Sequence, residues 1–521
     1  MTTAAASWFQ AQQALAAGNM AVARQWLEAT LATDPHHAQA HVMLAGVALS
    51  QQRLRDASAQ LLEAARRPPG DATHLQRLVQ ALLRVGEVVA AKRCLASPVI
   101  ARCREGRVLA QIAHLHQQIG DHATALALMD RARDAGFDNP DFRYFRSIQL
   151  QFNGRLDEAR EELEACLRMG PTFGRASLTL ARLRKQTHDS NHLPFIRAQL
   201  TRVAPGSEDH AAFEFAQYKE LEDLGDFGDA WNALQRANAI MFRRQRHDAQ
   251  ARRRDMDQLI ALFQGEFAKP AEVDHPGPTP IFIVGLPRSG TTLLDRILGN
   301  HSQVMSAGEL GDFAHQLQWT ADHPARQLLD DTLLQRLPEI DFAEVGRRYL
   351  AQTQWRAAGR AYYIDKLPPN HQLAGLIAKA LPNAPILHMV RDPMDVCFSN
   401  YRALFGDSYP YSYDLAALAN HYREYQRMSA HWHRVLPGRI VDVSYAELVR
   451  DTERVIRSVL ARSGLAWEEG LTDLSRNDAP VATLSSAQVR ESVHARSLGE
   501  WRRYEKQLAP LAEMLQVDQG K

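Results

Sequence analysis

The first half of the chain repeats its small and large apolar residues at a spacing of 34 positions. Such a period predicts an array of helix pairs, in which small residues let two helices approach and larger ones fill the groove between them. The register weakens after Pro171 and returns between Tyr218 and Ala237, so we expect five regular repeats and one or two degenerate ones. The two apolar series are Ala23, Ala57, Ala91, Ala125 and Ala159, and Leu27, Leu61, Leu95, Met129 and Leu163, and the turns are marked by Gly86-Glu87, Gly120-Asp121 and Gly154-Arg155.

In the second half, short apolar runs alternate with helical patterns, which predicts an α/β domain with a central parallel sheet. The segment from Pro270 to Pro280 holds four prolines and cannot continue a helix, so it marks a domain boundary. We therefore expect helical repeats over 1–245, a helix and proline-rich linker over 246–278, and the α/β domain over 279–521. The strands are expected at Ile281–Val284, within 302–308, in the run that ends in Lys366, at Ile386–Val390 and within 439–445.

Composition narrows the function classes. A net charge of +1 over 521 residues gives no general attraction to nucleic acid or membrane surfaces, so any anion must be bound locally. The sequence shows neither a signal peptide nor an apolar run of the roughly 18 residues that a membrane span needs. The four cysteines lack the spacing of a zinc site or a disulfide framework. We expect a cytoplasmic protein with no membrane span and no nucleic-acid partner.

A glycine-rich loop follows the first predicted strand. Gly285, Pro287, Arg288, Ser289 and Gly290 form the loop, and Thr291 and Thr292 open a helix. Loop amides and the positive end of the helix dipole stabilise an anion at such a junction. The spacing matches a Walker A loop, except that Thr291 stands where the phosphate-binding lysine belongs and the positive charge has moved to Arg288. We therefore expect a phosphate ester to be held by arginine and hydroxyl groups.

A second candidate anion site lies at another junction of strand and helix. Arg391 ends the apolar run Ile386–Val390, and Ser399 follows eight positions later on the predicted helix. An arginine fork and a hydroxyl placed in this way can face one phosphate group. We expect the guanidinium groups of Arg288 and Arg391 to lie on the same side of the sheet, about one nucleotide apart.

These motifs resemble those of sulfotransferases that use 3'-phosphoadenosine 5'-phosphosulfate (PAPS), and the repeats resemble the tetratricopeptide family. The R-S-G-T-T form of the loop and the R-x7-S pair carry the first resemblance. It implies that the loop binds the 5'-phosphosulfate and that Arg391 and Ser399 bind the 3'-phosphate of PAPS. It also makes Tyr445 a candidate nucleotide contact. The fold it implies is a tetratricopeptide-like superhelix followed by an α/β, P-loop-like sulfotransferase domain.

Within that family the catalytic half is most similar to tyrosylprotein sulfotransferases. Glu309 lies 21 positions after Arg288, as the proposed base does in those enzymes. Sulfuryl transfer needs a base for the acceptor proton, and Lys366 at a strand end can neutralise the leaving phosphate. The resemblance extends to a C-terminal loop, where Ser485 would contact the 5' side of the donor and Arg490 would add a phosphate contact. No metal is needed in this scheme, because arginine and lysine supply the charge.

The acceptor stays open at this point. Leu310, Gly311 and Asp312 replace the basic residues on which the acidic-peptide preference of the tyrosylprotein enzymes depends. Protein tyrosine, carbohydrate, lipid and small phenols are therefore all candidates. One alternative is a P-loop kinase, with Asp392 as a magnesium ligand. Another is a non-catalytic interaction protein whose repeats bind a partner.

The repeat array is expected either to hold a protein partner or to scaffold or dimerise the catalytic half.

Several charged positions receive structural interpretations. Residues 243–254 hold six arginines, which we interpret as a solvated helix face, with an acidic partner as the alternative. Arg348 is interpreted as surface charge. His431 and His433 do not share a helix face, which argues against a metal site there.

Overall fold

The computed structural model describes residues 3–245, 247–271, 276–325, 327–477 and 493–516. An array of helices is followed by an α/β unit built on one sheet. The array helices are α1 (Ala4–Ala16), α2 (Met20–Thr33), α3 (Ala38–Ser50), α4 (Leu54–Arg66), α5 (Ala72–Arg84), α6 (Val88–Leu95), α7 (Pro98–Arg102), α8 (Gly106–Gln118), α9 (His122–Asp134), α10 (Pro140–Phe152), α11 (Leu156–Met169), α12 (Gly174–Leu183), α13 (Leu193–Leu200), α14 (Glu208–Leu224) and α15 (Phe227–Arg244).

The repeat pattern is confirmed helix by helix. The alanine series falls near the start of the second helix of each of the first five pairs, and every one of these alanines is fully buried. Gly86, Gly120 and Gly154 adopt φ of +79°, +82° and +78°, the left-handed conformation that a tight turn between helices requires. After α11 the pairs lose their regular lengths, and α14 and α15 restore a long antiparallel pair. This matches the register lost after Pro171 and recovered from Tyr218.

The sheet has five strands in the order β2-β3-β1-β4-β5, and all four pairings are parallel. Its two faces are apolar because β1 carries Ile281 and Ile283 on one side and Phe282 and Val284 on the other, all fully buried. The strand order reverses between β1 and β4, since β2 and β3 lie on one side of β1, and β4 and β5 lie on the other. The strands are β1 (Thr279–Gly285), β2 (Val304–Ser306), β3 (Tyr362–Lys366), β4 (Ile386–Val390) and β5 (Ile440–Ser444).

Helices cover both faces of the sheet. They are α16 (Ala249–Leu262), α17 (Thr291–Leu298), α18 (Asp312–Thr320), α19 (Asp331–Arg336), α20 (Phe342–Thr353), α21 (Ala374–Ala380), α22 (Pro393–Tyr401), α23 (Leu415–Val435), α24 (Tyr445–Arg450), α25 (Thr452–Ser463) and α26 (Glu505–Leu515). Short 3-10 helices lie at Gly265–Ala268, Leu337–Glu339, Gln354–Ala357, Pro368–Leu373, Pro410–Tyr413, Leu474–Arg476 and Glu500–Tyr504. Although α16 falls in the expected linker, Leu259 and Phe263 are fully buried in the core of the α/β unit.

A polar seam joins the array to the α/β unit. Glu87 of the array is buried and accepts hydrogen bonds from Arg348 Nη2 at 2.7 Å and Gln352 Nε2 at 2.9 Å, both on α20. The Arg348 guanidinium also lies 3.5 Å from the ring centroid of Trp319. The interpretation of Arg348 as surface charge is therefore wrong. Its partner lies 261 positions away in the sequence, beyond the reach of any local pattern.

A second seam is aromatic. Trp231 on α15 packs against Tyr401 and Tyr504, with ring centroids 5.8 and 5.5 Å apart. Asn238, also on α15 and buried, donates to the backbone oxygen of Tyr401 at 3.0 Å. These contacts place the end of the array against α22, which carries Ser399.

Within the described ranges, no helix combines the length and the apolarity needed to cross a bilayer. Cys94, Cys103, Cys166 and Cys397 are buried free thiols.

Candidate functional site

All five strands end at one edge of the sheet, and a predicted site residue follows or ends each of them. Because every pairing is parallel, the carboxyl ends of the strands coincide there. The loop after β1 and Arg391 after β4 meet where the strand order reverses, which is where open α/β sheets bind ligands. The residues, in the spatial order of the strands, are Glu309 after β2, Lys366 at the end of β3, Arg288 after β1, Arg391 after β4 and Tyr445 after β5.

The loop after β1 needs its glycines. Gly290 adopts φ of +106°, and a Cβ there would lie 2.4 Å from Cδ2 of Tyr445. Gly285 adopts φ of +152°, and its Cβ would lie 2.8 Å from the backbone oxygen of Met389. Arg288 itself has φ of +68°, an uncommon conformation for a residue with a side chain. The loop therefore lies tight against β4 and α24 and presents its amides at the start of α17.

The two predicted anion sites meet in one cluster. Arg288 Nε donates to Ser399 Oγ at 3.3 Å, and Arg391 Nη1 donates to the backbone oxygen of Arg288 at 3.0 Å. Burial, together with the neighbouring guanidinium groups of Arg402 and Arg182, lowers the pKa of Arg288 to about 9. Burial also lowers the pKa of Arg391. The charge of Arg391 contributes to the lowered pKa of Arg288, so the two buried cations are crowded, and an anion would relieve such crowding.

Tyr445 fixes Arg391 from the β5 side. The Arg391 guanidinium carbon lies 4.6 Å from the centroid of the Tyr445 ring, and the Tyr445 hydroxyl pairs with Ser497 Oγ at 2.7 Å. Arg391 Nη2 donates to the backbone oxygen of Ser497 at 2.6 Å. The segment before the 3-10 helix Glu500–Tyr504 thus closes one side of the cluster.

Glu309 and Lys366 form an ion pair on the other half of the edge. Lys366 Nζ donates to Glu309 Oε1 at 2.5 Å. The lysine side chain is 2% exposed and the glutamate side chain is 44% exposed, so the carboxylate is the member of the pair that a ligand can approach. The neighbouring Asp365 does not pair with Lys366 but accepts a hydrogen bond from the Tyr349 hydroxyl at 2.9 Å. The buried Asp295 carboxyl also lies near Lys366, and burial raises its pKa.

Two buried polar atoms in the cluster lack a partner among the described residues. They are Ser289 Oγ and Arg391 Nε. An unsatisfied buried donor costs about 1–3 kcal/mol, so each such atom needs an explanation. Both belong to motifs that the sequence assigns to phosphate binding, and phosphate oxygens would accept hydrogen bonds from both. The residues present therefore fit an anionic donor.

Sequence reasoning missed two arginines beside this cluster. Arg402, at the end of α22, pairs with Glu500 at 2.5 Å and lies 4.0 Å from Glu222 of the array. Arg182 of α12 donates to the backbone oxygen of Arg402 at 3.5 Å, and burial lowers its pKa to about 10. No spacing in the sequence marks either residue, because their partners lie on distant elements. The array thus contributes charge at the border of the site.

Two of the expected site residues, Ser485 and Arg490, lie outside the described residues. Thr291 and Thr292 lie in the first turn of α17 and are buried.

His433 belongs to a polar cluster that its local spacing did not reveal. Asp442 of β5 contacts two histidines through its Oδ1 atom. His388 Nδ1 of β4 lies 2.7 Å from this oxygen, and His433 Nε2 of α23 lies 3.0 Å from it. Their ligand-type atoms all lie within 4.8 Å of one another. In the structure they are joined by hydrogen bonds, and the expectation that catalysis needs no metal stays a prediction.

Comparisons with known proteins agree with this division of the chain. Residues 280–469 match the model of the sulfotransferase family, and residues 14–83 match that of the tetratricopeptide repeat. An uncharacterized protein of Aquifex aeolicus is 30% identical over 374 residues, which are 70% of this chain and 48% of that protein. The nodulation protein NoeE of Sinorhizobium fredii is 30% identical over 137 residues, 24% of this chain and 31% of NoeE. The chain thus spans about half the length of the Aquifex protein.

Among solved structures, the sulfotransferase domain of the Synechococcus PCC 7002 olefin synthase aligns with 48% of this chain and 100% of its own, with 22% identity and a TM-score of 0.34. The fold expected from the sequence is confirmed: a tetratricopeptide-like helical region precedes a sulfotransferase domain with a parallel sheet of five strands. The family match supports sulfuryl transfer in general.

Proposed function

We propose that the protein transfers a sulfuryl group from PAPS to an acceptor hydroxyl. The observation that carries this proposal is the single cluster of Arg288, Arg391 and Ser399 at the edge where β1 and β4 end. Two crowded arginines, a hydroxyl and a glycine loop suit a ligand with more than one phosphate group. The ion pair of Glu309 and Lys366 at the same edge supplies the groups that transfer requires.

The donor would lie across the junction of β1 and β4. In this arrangement the amides of the loop from Gly285 to Gly290, with the Thr291 and Thr292 hydroxyls, hold the 5'-phosphosulfate. Arg391 and Ser399 hold the 3'-phosphate, which separates PAPS from ordinary adenine nucleotides. Tyr445 positions Arg391 through the contact of its ring with the guanidinium group. Arg288 contacts Ser399 directly and so links the two phosphate sites.

The chemistry needs one proton transfer and one exchange of S–O bonds. The exposed Glu309 carboxylate takes the proton of the acceptor hydroxyl while the acceptor oxygen attacks sulfur. The bond between sulfur and the bridging phosphate oxygen breaks, and the electron pair stays on that oxygen. Lys366, whose ammonium group already lies at this edge, stabilises the growing negative charge. The products are a sulfate ester and 3',5'-ADP.

The acceptor is a hydroxyl compound, and the resemblance to tyrosylprotein sulfotransferases favours a phenol such as the tyrosine side chain. The tetratricopeptide-like array would add a surface for a protein partner, since such arrays commonly hold peptides.

Calorimetric titration tests this proposal against a kinase. We expect 3',5'-ADP to bind with an affinity that EDTA leaves unchanged, because arginine side chains supply the positive charge. Tighter binding of ATP with magnesium than of 3',5'-ADP, together with ATP turnover, would contradict it and favour a P-loop phosphotransferase. If the protein bound neither nucleotide, the alternative of a non-catalytic interaction protein would be favoured.

A further inference from the structure

A cavity of about 840 Å³ adjoins the loop after β1. Leu286 and Pro287 of the loop line it, together with residues of α16, α23, the 3-10 helices Pro368–Leu373 and Pro410–Tyr413, and the segments 327–329 and 407–409. This volume lies within the range of small-molecule sites. The cavity reaches the loop of the proposed donor site, because Gly285, Leu286 and Pro287 line it. Tyr409 also lines it, and burial, with a smaller contribution from the charge of Glu309, raises the pKa of Tyr409.

The wall of the cavity is aromatic. The rings of Tyr411 and His421 stack with centroids 3.6 Å apart and planes inclined by 15°. Burial and the nearby charge of Arg252 lower the pKa of His421 to about 3, so its ring is neutral at ordinary pH. Tyr425 lines the same cavity, and its ring contacts His371 at a centroid distance of 4.5 Å. Planar apolar faces of this kind favour an aromatic ligand.

Arg252 lines the cavity and has no counter-ion among the described residues. Arg252 of α16 is half-buried, with its guanidinium carbon 5.8 Å from the centroid of the Tyr411 ring. Across the described ranges, no carboxylate lies within ion-pairing distance of Arg252. The sequence interpretation of residues 243–254 as a solvated helix face is therefore wrong at Arg252, which lines this cavity.

The carboxylates that line the cavity contact groups other than Arg252. Glu424 contacts Arg427 at 2.7 Å and Arg253 at 3.8 Å, and Asp407 accepts from Gln245 at 2.5 Å. Asp255 has a raised pKa, because it is partly buried and lies beside Asp331. Arg423 also lines the cavity, but it is exposed and bonded to Asn420. Arg252 is thus the cation whose charge a ligand in the cavity can satisfy at the aromatic wall.

We propose that this cavity is the acceptor site and that it takes a small phenol carrying a carboxylate, which Arg252 binds. The inference rests on the proposed sulfuryl transfer and narrows its acceptor class. The phenol ring lies against the wall of Tyr411 and His421, and its hydroxyl points to the loop and Glu309. Arg252 is then a specificity-determining residue supplied by α16, outside the motifs that bind the donor.

Two phenols of nearly equal size test this inference: 4-hydroxyphenylacetate and its neutral amide, 4-hydroxyphenylacetamide. Each is titrated calorimetrically into the full-length protein, free and saturated with 3',5'-ADP. Arg252→Gln removes the charge, and Arg254→Gln, exposed on the same helix, is the matched control. We expect wild type and Arg254→Gln to bind the acid about tenfold tighter than the amide, as for a charge-assisted hydrogen bond. Arg252→Gln should bind both phenols equally and keep the wild-type affinity for the amide.

Three results would overturn the inference: equal affinity for the two phenols in wild type, a preference for the acid that survives in Arg252→Gln, or no binding of either phenol. If an acidic tyrosine peptide bound more tightly than the free acid, and this binding depended on Arg252, the acceptor would be a polypeptide and the inference of a small-molecule acceptor would be wrong. Failure of the proposed sulfuryl transfer can be told apart from failure of this inference, because the protein would then not bind 3',5'-ADP. The titrations of the free protein would still show whether the cavity binds the phenols.

Discussion

The two halves of the sheet edge handle charge in opposite ways. On the side of β2 and β3, the buried ammonium group of Lys366 is neutralised by Glu309 at 2.5 Å. On the side of β1 and β4, Arg288 and Arg391 lie together, and the pKa of Arg288 falls to about 9 through burial and neighbouring guanidinium groups. The first half is balanced within the protein, whereas the phosphate groups of the proposed donor would balance the second.

From this difference we expect the two halves of the edge to have different kinetic roles. A lysine that is already paired can act on charge that develops in the transition state. Crowded cations instead favour binding of an anion already present in the ground state. Substitutions on the β2 and β3 side should therefore lower kcat, and those on the β1 and β4 side should weaken donor binding.

The largest effect is expected for Lys366→Met, which keeps the volume of the buried side chain and removes its charge. Loss of a group that stabilises the leaving phosphate should lower kcat by about 10²–10³-fold. Single-turnover kinetics with PAPS measures this loss, and Lys379→Met on α21 controls for loss of a lysine elsewhere in the domain. A kcat within twofold of wild type would remove Lys366 from catalysis.

Glu309→Gln should lower kcat by about 10²-fold, because the amide cannot take the acceptor proton. Affinity for 3',5'-ADP should stay equal to or above that of wild type, since a negative charge near the donor has been removed. Parallel turnover and titration measurements check both expectations. If Glu309→Gln lost donor affinity and kept its kcat, the division between the halves would fail.

Ser399→Ala is expected to have the smallest effect. It removes one hydroxyl that Arg288 contacts at 3.3 Å, and the affinity for 3',5'-ADP should fall by about 1 kcal/mol, or about fivefold, with kcat for bound PAPS unchanged. Ser463→Ala, a buried serine on α25, is the matched control. Donor affinity that is equal in both variants would show that Ser399 does not contact the donor.

Much of the fold could be predicted because its signals are local. The 34-residue period specified the helix pairs, and the strands at Tyr362–Lys366 and Ile386–Val390 begin and end close to the expected positions. The candidate site residues came from the two phosphate motifs and the family resemblance, and Arg288, Glu309, Lys366, Arg391 and Tyr445 lie where the parallel strands end. The order of the strands could not be derived in this way, because pairing joins segments such as β1 and β3 that lie about 80 residues apart in the chain.

What the sequence did not show are partnerships between distant elements. The Glu87 carboxylate meets Arg348 across 261 positions, and Arg402 meets Glu222 of the array. Arg252 looked like one member of a solvated basic run until the structure placed it over Tyr411. In each case the residue type is common on surfaces, and its role depends on what the fold brings against it.

Arg391 is the residue proposed to recognise the 3'-phosphate of the donor. The most direct test of this role is the ratio of affinities for 3',5'-ADP and 5'-AMP, measured by calorimetry in wild type and in Arg391→Gln. We predict that wild type prefers 3',5'-ADP by about 10–100-fold and that the variant loses most of this preference while binding 5'-AMP as before, since a hydrogen bond to a charged group contributes about 1.5–3 kcal/mol. The same ratio in both proteins would contradict the assignment.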